Sequence, residues 1–233
     1  MGGIPGLCEG RAMMPQETSC YTTVIYDCDG VMFESFEANF AFYSKVIDRF
    51  GKPPLDRNSA ETMRLLHTYS SKDVLAKLFA GDPREKAAVS FAASIDYREL
   101  LPFMHLEEEF IETVQALHNR VNLAVCTNRS NSMEMLLEDF GLASYFGYVM
   151  TAAKVKNPKP HPEPLLKILE HFRISPGEAL FVGDSELDQR SAESAGVPFV
   201  AYKSNLPGFA RIDHHSEILK LLETRNPGMN ALA

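Results

Sequence analysis

No stretch of this chain approaches the roughly 18 consecutive apolar residues that a membrane-spanning helix needs, so a bilayer span is not expected and a soluble protein is. Positive charge is short: 23 Lys and Arg face 31 Asp and Glu, a net charge of -8. That balance argues against nucleic acid or an anionic membrane surface as the main partner. Cysteine is scarce, and Cys8, Cys20, Cys28 and Cys126 show no metal-ligand pairing, which favours free thiols in a reducing compartment over disulfides and makes the cytoplasm the default. Residues 1–20 lack the charged and apolar regions of a secretory signal and are expected to form a flexible extension, with Met13 or Met14 as an alternative start. There is no internal repeat and no low-complexity tract. What the chain does have is 233 residues that are 45% hydrophobic, enough for a sizeable core.

The stretch Val24-Ile25-Tyr26-Asp27-Cys28-Asp29-Gly30 organises the rest. An apolar, β-branched run ends in two carboxylates one residue apart and then a glycine, which reads as a buried strand delivering a site at its carboxyl end. The side-chain period of an extended segment is two, so Asp27 and Asp29 face the same side and repel unless a cation or a shared proton relieves them. Hard oxygen ligands make Mg2+ the expected cation. The alternative is a strand followed by an Asx turn at Asp29-Gly30.

Helical periodicity follows over Phe36 to Phe50, Ser59 to Thr68, Ser71 to Phe79 and Pro83 to Leu101, with nothing strand-like between. A block of helices after the first strand reads as an insertion, residues 35–101, leaving 21–34 and 102–233 as the parent domain. Strand and helix then alternate. A helix from about Glu107 to Asn119 precedes the strand Asn122 to Cys126. A helix from about Ser132 to Phe140 and a short strand at Tyr148 to Thr151 come next. They are followed by a helix ending near Phe172, the strand Ala179 to Val182, the helix Glu186 to Ala195 and a final strand at Phe199 to Ala201. This alternation predicts an α/β, doubly wound parallel sheet with helices on both faces, in which ligands bind beyond the carboxyl ends of the strands. Asp27, Thr127 and Asp184 all fall at or just past such ends. A short terminal helix is expected to pack back on the core. His214 and His215 diverge too far on a helix to share a metal and are expected at a surface or cap.

Three further segments bear chemistry. Thr127 and Asn128 offer a hydroxyl and an amide to a phosphoryl oxygen, or Thr127 caps the following turn. Lys159, stiffened by Pro158, Pro160 and Pro162, either orients Asp27 and offsets phosphoryl charge or is simply solvated. Asp184 follows Gly183, where the chain approaches an ion closely, or else caps a helix; Asp188 lies one turn on. Arg129 either reaches a substrate or the inserted helices, or lies on the surface.

Together these four motifs resemble the haloacid dehalogenase-like superfamily, in particular its phosphatases with a helical cap, the phosphoglycolate phosphatase and β-phosphoglucomutase group; the likeness runs from about Thr22 to Tyr202. The resemblance implies a Rossmann-like core and an aspartyl-phosphate formed on Asp27, with Asp29 as general acid and then base. It implies Mg2+ held by Asp27, the Asp29 carbonyl and Asp184, and Asp188 as a supporting residue or partner of Lys159. Substrate choice falls to the cap, with Glu34, Arg64, His67 and Lys72 as candidate contacts. The expected activity is hydrolysis of a small phosphorylated metabolite by a monomer or homodimer. A phosphomutase and a non-catalytic phosphate-binding protein are the alternatives; the second carboxylate, Asp29, disfavours a dehalogenase.

Overall fold

The computed structural model describes residues 20–225; Cys8 and residues 1–19 of the expected flexible extension lie outside them. In chain order the elements begin with β1 (Thr23–Tyr26) and β2 (Phe33–Glu34), and the helices α1 (Phe36–Arg49), α2 (Ala60–Thr68), α3 (Ser71–Leu78) and α4 (Glu85–Ser94) follow. A 3-10 segment at Tyr97–Phe103 leads to β3 (His105–Leu106), α5 (Phe110–Leu117), β4 (Asn122–Cys126), α6 (Met133–Asp139) and β5 (Tyr148–Met150). The chain closes with α7 (Glu163–Phe172), β6 (Ala179–Gly183), α8 (Glu186–Ala195), β7 (Phe199–Tyr202), β8 (Ala210–Ile212) and α9 (Glu217–Arg225).

The main sheet has six strands in the order β5-β4-β1-β6-β7-β8, and every pairing in it is parallel. A parallel sheet covered on both faces has strands buried on both sides, and the sequence shows it as unbroken apolar runs. Along β1, Val24 and Tyr26 enter one core with Leu123, Val125, Leu180 and Val182, beneath Phe110 of α5, Leu136 of α6 and Leu222 of α9. Ile25 points to the opposite core with Ala124, Cys126 and Phe181, covered by Leu165 and Ile168 of α7 and Ala192 of α8. The period-two register thus builds two layers from one strand. The chain runs from β1 outward through β4 and β5, then returns to add β6, β7 and β8 on the other side, so the topological switch lies between β1 and β6.

The inserted helices carry a separate core of Tyr43, Val46, Leu66, Leu75 and Phe79. They are tied to the sheet through the two-residue antiparallel pair of β2 and β3, which is too short to show a sequence signal. Three expectations need correction. The helix expected over Pro83 to Leu101 breaks at Ile95, whose backbone is extended; Asp96 then caps a new 3-10 segment through Arg98 N–H, and Pro102 lies inside that segment. A further strand, β8, follows the supposedly final one, hydrogen-bonded at the sheet edge. His215 is neither exposed nor a helix cap: α9 begins only at Glu217, and His215 is fully buried.

The His215 ring stacks on Tyr202 at 4.3 Å between centroids and donates from Nε2 to the Val31 carbonyl at 2.8 Å. Its Nδ1 is buried without a partner among the described groups. Burial, only partly offset by the Val31 bond, lowers its pKa from 6.5 to about 4. Between those values the unfolded chain binds the proton and the native chain does not, so stability falls as pH drops through that window. His215→Phe, which keeps the ring, is expected to flatten this part of the pH profile of the urea midpoint; an unchanged slope would assign it to other groups.

Candidate active site

Adjacent strands β4, β1 and β6 bring Thr127, Asp27 and Asp184 to one edge, and the loop before α7 adds Lys159. Just past β1 the chain turns sharply: the Cys28 carbonyl accepts from Met32 N–H at 2.9 Å and Phe33 N–H at 3.0 Å. Gly30 sits in this turn at φ +75, and a Cβ there would fall 2.3 Å from Asp184 Oδ2 and 2.7 Å from His67 Nε2. Only glycine permits both the conformation and the approach.

The Lys159 ammonium is buried and lies 2.7 Å from Asp27 Oδ1 and 2.6 Å from Asp188 Oδ1, while donating to the Cys126 carbonyl at 3.0 Å. Its loop is clamped by Asn128, whose Oδ1 accepts from Lys159 N–H and whose Nδ2 donates to the Lys159 carbonyl, both at 3.1 Å. Asn128, expected to bond a phosphoryl oxygen, thus also grips the Lys159 backbone on both sides, and its Nδ2 donates to the Thr68 carbonyl at 3.3 Å. Thr127 is buried, and its Oγ1 accepts from Arg129 N–H at 3.1 Å.

Carboxylate oxygens of Asp27, Asp184 and Asp188 all lie within 4.8 Å of one another. Burial, then Asp188, raise the Asp27 pKa to about 7 despite Lys159; burial with Asp188 and Asp27 pushes Asp184 well above the usual carboxylate range. Burial opposes the charge on Lys159, but Asp188 and Asp27 outweigh it and raise its pKa. Three carboxylates against one ammonium leave an excess of negative charge that a divalent cation would relieve. The Asp188 oxygens are already engaged, Oδ1 by Lys159 and Oδ2 by Ser185 N–H at 3.2 Å and Ser185 Oγ at 2.5 Å. Asp27 and Asp184 are the carboxylates left with room for a metal.

Asp29 belongs to a different network. Arg129 holds both its oxygens, Nε to Oδ2 at 2.8 Å and Nη2 to Oδ1 at 2.6 Å. Ser35 Oγ and Asn39 Nδ2 also donate to Oδ1, the latter at 3.0 Å. Burial alone would raise this carboxyl; Arg129 overcomes it and lowers the pKa to about 2. Arg129 is itself buried and lies against the Tyr97 ring, 4.9 Å from its centroid. The surface alternative for Arg129 is thus set aside, and its present partner is Asp29. Ser35 and Asn39 went unnoticed in the sequence, although Asn39 left a signal: it is a polar residue at helical spacing with the buried Tyr43, Val46 and Ile47 of α1.

Of the cap candidates, His67 Nε2 lies 4.0 Å from Asp184 Oδ2 and Arg64 pairs with Glu186 at 2.8 Å. Lys72 lines a cavity of about 420 Å³ that also reaches Asp27, Asp29 and Thr127. Glu34 lines a second, of about 500 Å³, on the side of Asp184. Cys28 and Cys126 are buried and unbridged. Among the described residues no helix is long and apolar enough to cross a membrane.

Comparison with known proteins bears on the family and the fold. A family model described as haloacid dehalogenase-like hydrolase matches residues 24–202. Phosphoglycolate phosphatase of Salmonella typhi is 32% identical over 154 residues, 64% of this chain and 52% of that protein, so the chain spans about half the length of that curated relative. A solved HAD-superfamily hydrolase of subfamily IA, variant 1, from Geobacter sulfurreducens is 60% identical, with 86% of this chain and 96% of that one covered and a TM-score of 0.71. A mutant of CbbY from Rhodobacter sphaeroides, solved in complex with xylulose-1,5-bisphosphate, is 21% identical over 84% of this chain and 96% of its own, with a TM-score of 0.73; that likeness shows the fold alone.

Removing one partner of a buried ion pair typically costs about 3–5 kcal/mol, because the other charge is stranded. Arg129→Met is expected to lower stability at pH 7 by about that amount, and Asp29→Asn in the same chain to restore part of it. A urea-unfolding double-mutant cycle measures the coupling, and additive losses would show that the pair contributes nothing as a pair. Because the folded pKa of Asp29 is depressed to about 2 from 3.8, its contribution is full above 3.8 and is lost as pH falls through about 2.

Proposed function

We propose, from the premise that this chain belongs to the haloacid dehalogenase-like hydrolases, that it is a Mg2+-dependent phosphoric monoester hydrolase acting on a small phosphorylated metabolite. The observation that carries the proposal is the convergence of Asp27, Lys159 and Asp184 at one sheet edge, two of them from separate strands and one from a clamped loop. The phosphoglycolate phosphatase relative supports the choice of a phosphate monoester as substrate.

In this reading an Asp27 carboxylate oxygen attacks phosphorus in line, forming an aspartyl-phosphate as the bond to the leaving oxygen breaks. Asp29 gives its proton to the departing alcohol. It then takes a proton from the water that attacks phosphorus, releasing inorganic phosphate and restoring Asp27. The net change is monoester plus water to alcohol plus phosphate. Lys159, fixed by Asp188 and by the Asn128 clamp, orients the nucleophile and balances charge on the transferring group, and Thr127 bonds a phosphoryl oxygen. Asp29 must part from Arg129 and take up a proton before it can act as the acid, so the first turnover includes a rearrangement of that pair. Mg2+, held by Asp27, the Asp29 carbonyl and Asp184, would supply the remaining neutralisation at the phosphoryl oxygens. The buried thiols Cys28 and Cys126 suit a cytoplasmic setting.

Asp27→Asn is expected to fold as the parent does and to lose turnover by orders of magnitude in a phosphate-release assay over phosphoglycolate, sugar phosphates and nucleotides. Near-parental release by that variant would reject the nucleophile. Chelation should abolish activity and added Mg2+ restore it; Asp184→Asn should raise the Mg2+ concentration needed for half-activity, by about 10-fold or more.

A further inference from the structure

The two cavities divide the site between them. Asp29, the acid of the proposed reaction, lines the 420 Å³ cavity and not the other. Asp184 lines the 500 Å³ cavity and not the first, and His67 and Thr68 line both, so the end of α2 stands as the wall between them. The leaving oxygen must meet Asp29, so the organic part of the substrate lies in the first cavity. The floor of that chamber is polar, made by Asp27, Asp29 and the turn at Thr127. Its roof is the helical cap, and much of it is apolar: Phe42, Tyr69, Leu75, Val89, Ala93 and Ile95.

A two-carbon acid would occupy only the floor. The volume of about 420 Å³ falls within the range of roughly 300–1,000 Å³ typical of pockets that enclose drug-sized ligands. Val89 is 40% exposed on that roof, an apolar side chain that protein covers only in part. Each methylene moved from water onto such a surface is worth about fourfold in affinity. We infer that the substrate is a phosphate monoester whose alcohol carries an apolar body, of aromatic-ring size or larger, seated against the cap. The inference rests on the hydrolase reading for its orientation, but the chamber itself can be tested separately.

Methyl, butyl and hexyl phosphate share the same leaving-group chemistry, so differences among them report the chamber. For the parent protein, kcat/KM is expected to rise at least tenfold from methyl to hexyl phosphate and to exceed that for 2-phosphoglycolate. Ala93→Trp, at an exposed position of α4 that faces the chamber, is expected to reduce the hexyl-to-methyl ratio at least tenfold. Calorimetric binding of the same series to Asp27→Asn reads the chamber without turnover. A flat or falling series in both measurements, or a ratio unmoved by Ala93→Trp, overturns the inference. Affinity that rises with chain length while no ester is hydrolysed keeps the inference and rejects the hydrolase reading instead.

Discussion

One buried ammonium holds the site together. Lys159 lies in a region where Asp27, Asp184 and Asp188 crowd their oxygens within 4.8 Å, and it touches two of the three. Without it the strand ends of β1 and β6 would carry like charges face to face in a low-dielectric interior, where repulsion is least screened. Its position therefore has to be secured from several directions. The Asn128 amide grips its backbone on both sides, the Cys126 carbonyl accepts a hydrogen bond from its ammonium, and Asp188 is itself held by Ser185 at the start of α8. This is a chain of supports running from β4 through the lysine loop to α8, so the surroundings of Asp27 depend on elements far apart in sequence.

Much of that arrangement was legible beforehand, for a physical reason. Strands buried on both faces must be apolar throughout, so β1, β4 and β6 stand out as runs, and the polar residue that ends each run marks the edge where a site can form. The Asp27-x-Asp29 pair is conspicuous because side chains two apart on an extended segment share a face. Elements set by tertiary packing were not legible. β2 and β3 are two residues each and exist only because they pair with one another; β8 is three residues at a sheet edge. His215 could not be told from His214 by spacing, since one ring found a stacking partner in Tyr202 and the other remained outside. The partner of Arg129 was equally hidden: a residue next to a strand end can turn in or out, and the choice depends on Asp29, Tyr97 and the polar face of α1.

The helical insertion does more than cover the sheet. α1 supplies Asn39 to Asp29, the 3-10 segment supplies Tyr97 to Arg129, and α2 brings His67 over Gly30 and Asp184. Cap and core therefore share polar networks at the site as well as apolar contacts beside it. Any movement of the cap alters the surroundings of Asp29 and Asp184 together, which couples access to the chamber with the electrostatics of the groups lining it.

Two carboxylates one residue apart in sequence end in opposite states. Asp27 is pushed up to about 7 by burial and by Asp188, and Asp29 is held down at about 2 because Arg129 overcomes its burial. Pairs of titratable groups whose surroundings drive them apart are the usual mark of divided labour in acid-base chemistry. Here the separation also resolves the repulsion that the sequence posed at the outset. Asp29 is neutralised on one side of the turn by a guanidinium, and Asp27 is balanced on the other by an ammonium, so neither charge needs the other's counterion. The direction of the split is the reverse of what the proposed reaction needs in the act, a protonated Asp29 and an ionised Asp27. A cation drawn to Asp27 and Asp184 would lower the first, and withdrawal of Arg129 would raise the second. The resting arrangement thus holds Asp27 high and Asp29 low through neighbouring charges, Asp188 against the first and Arg129 beside the second, so a change in either set of charges shifts the corresponding carboxyl.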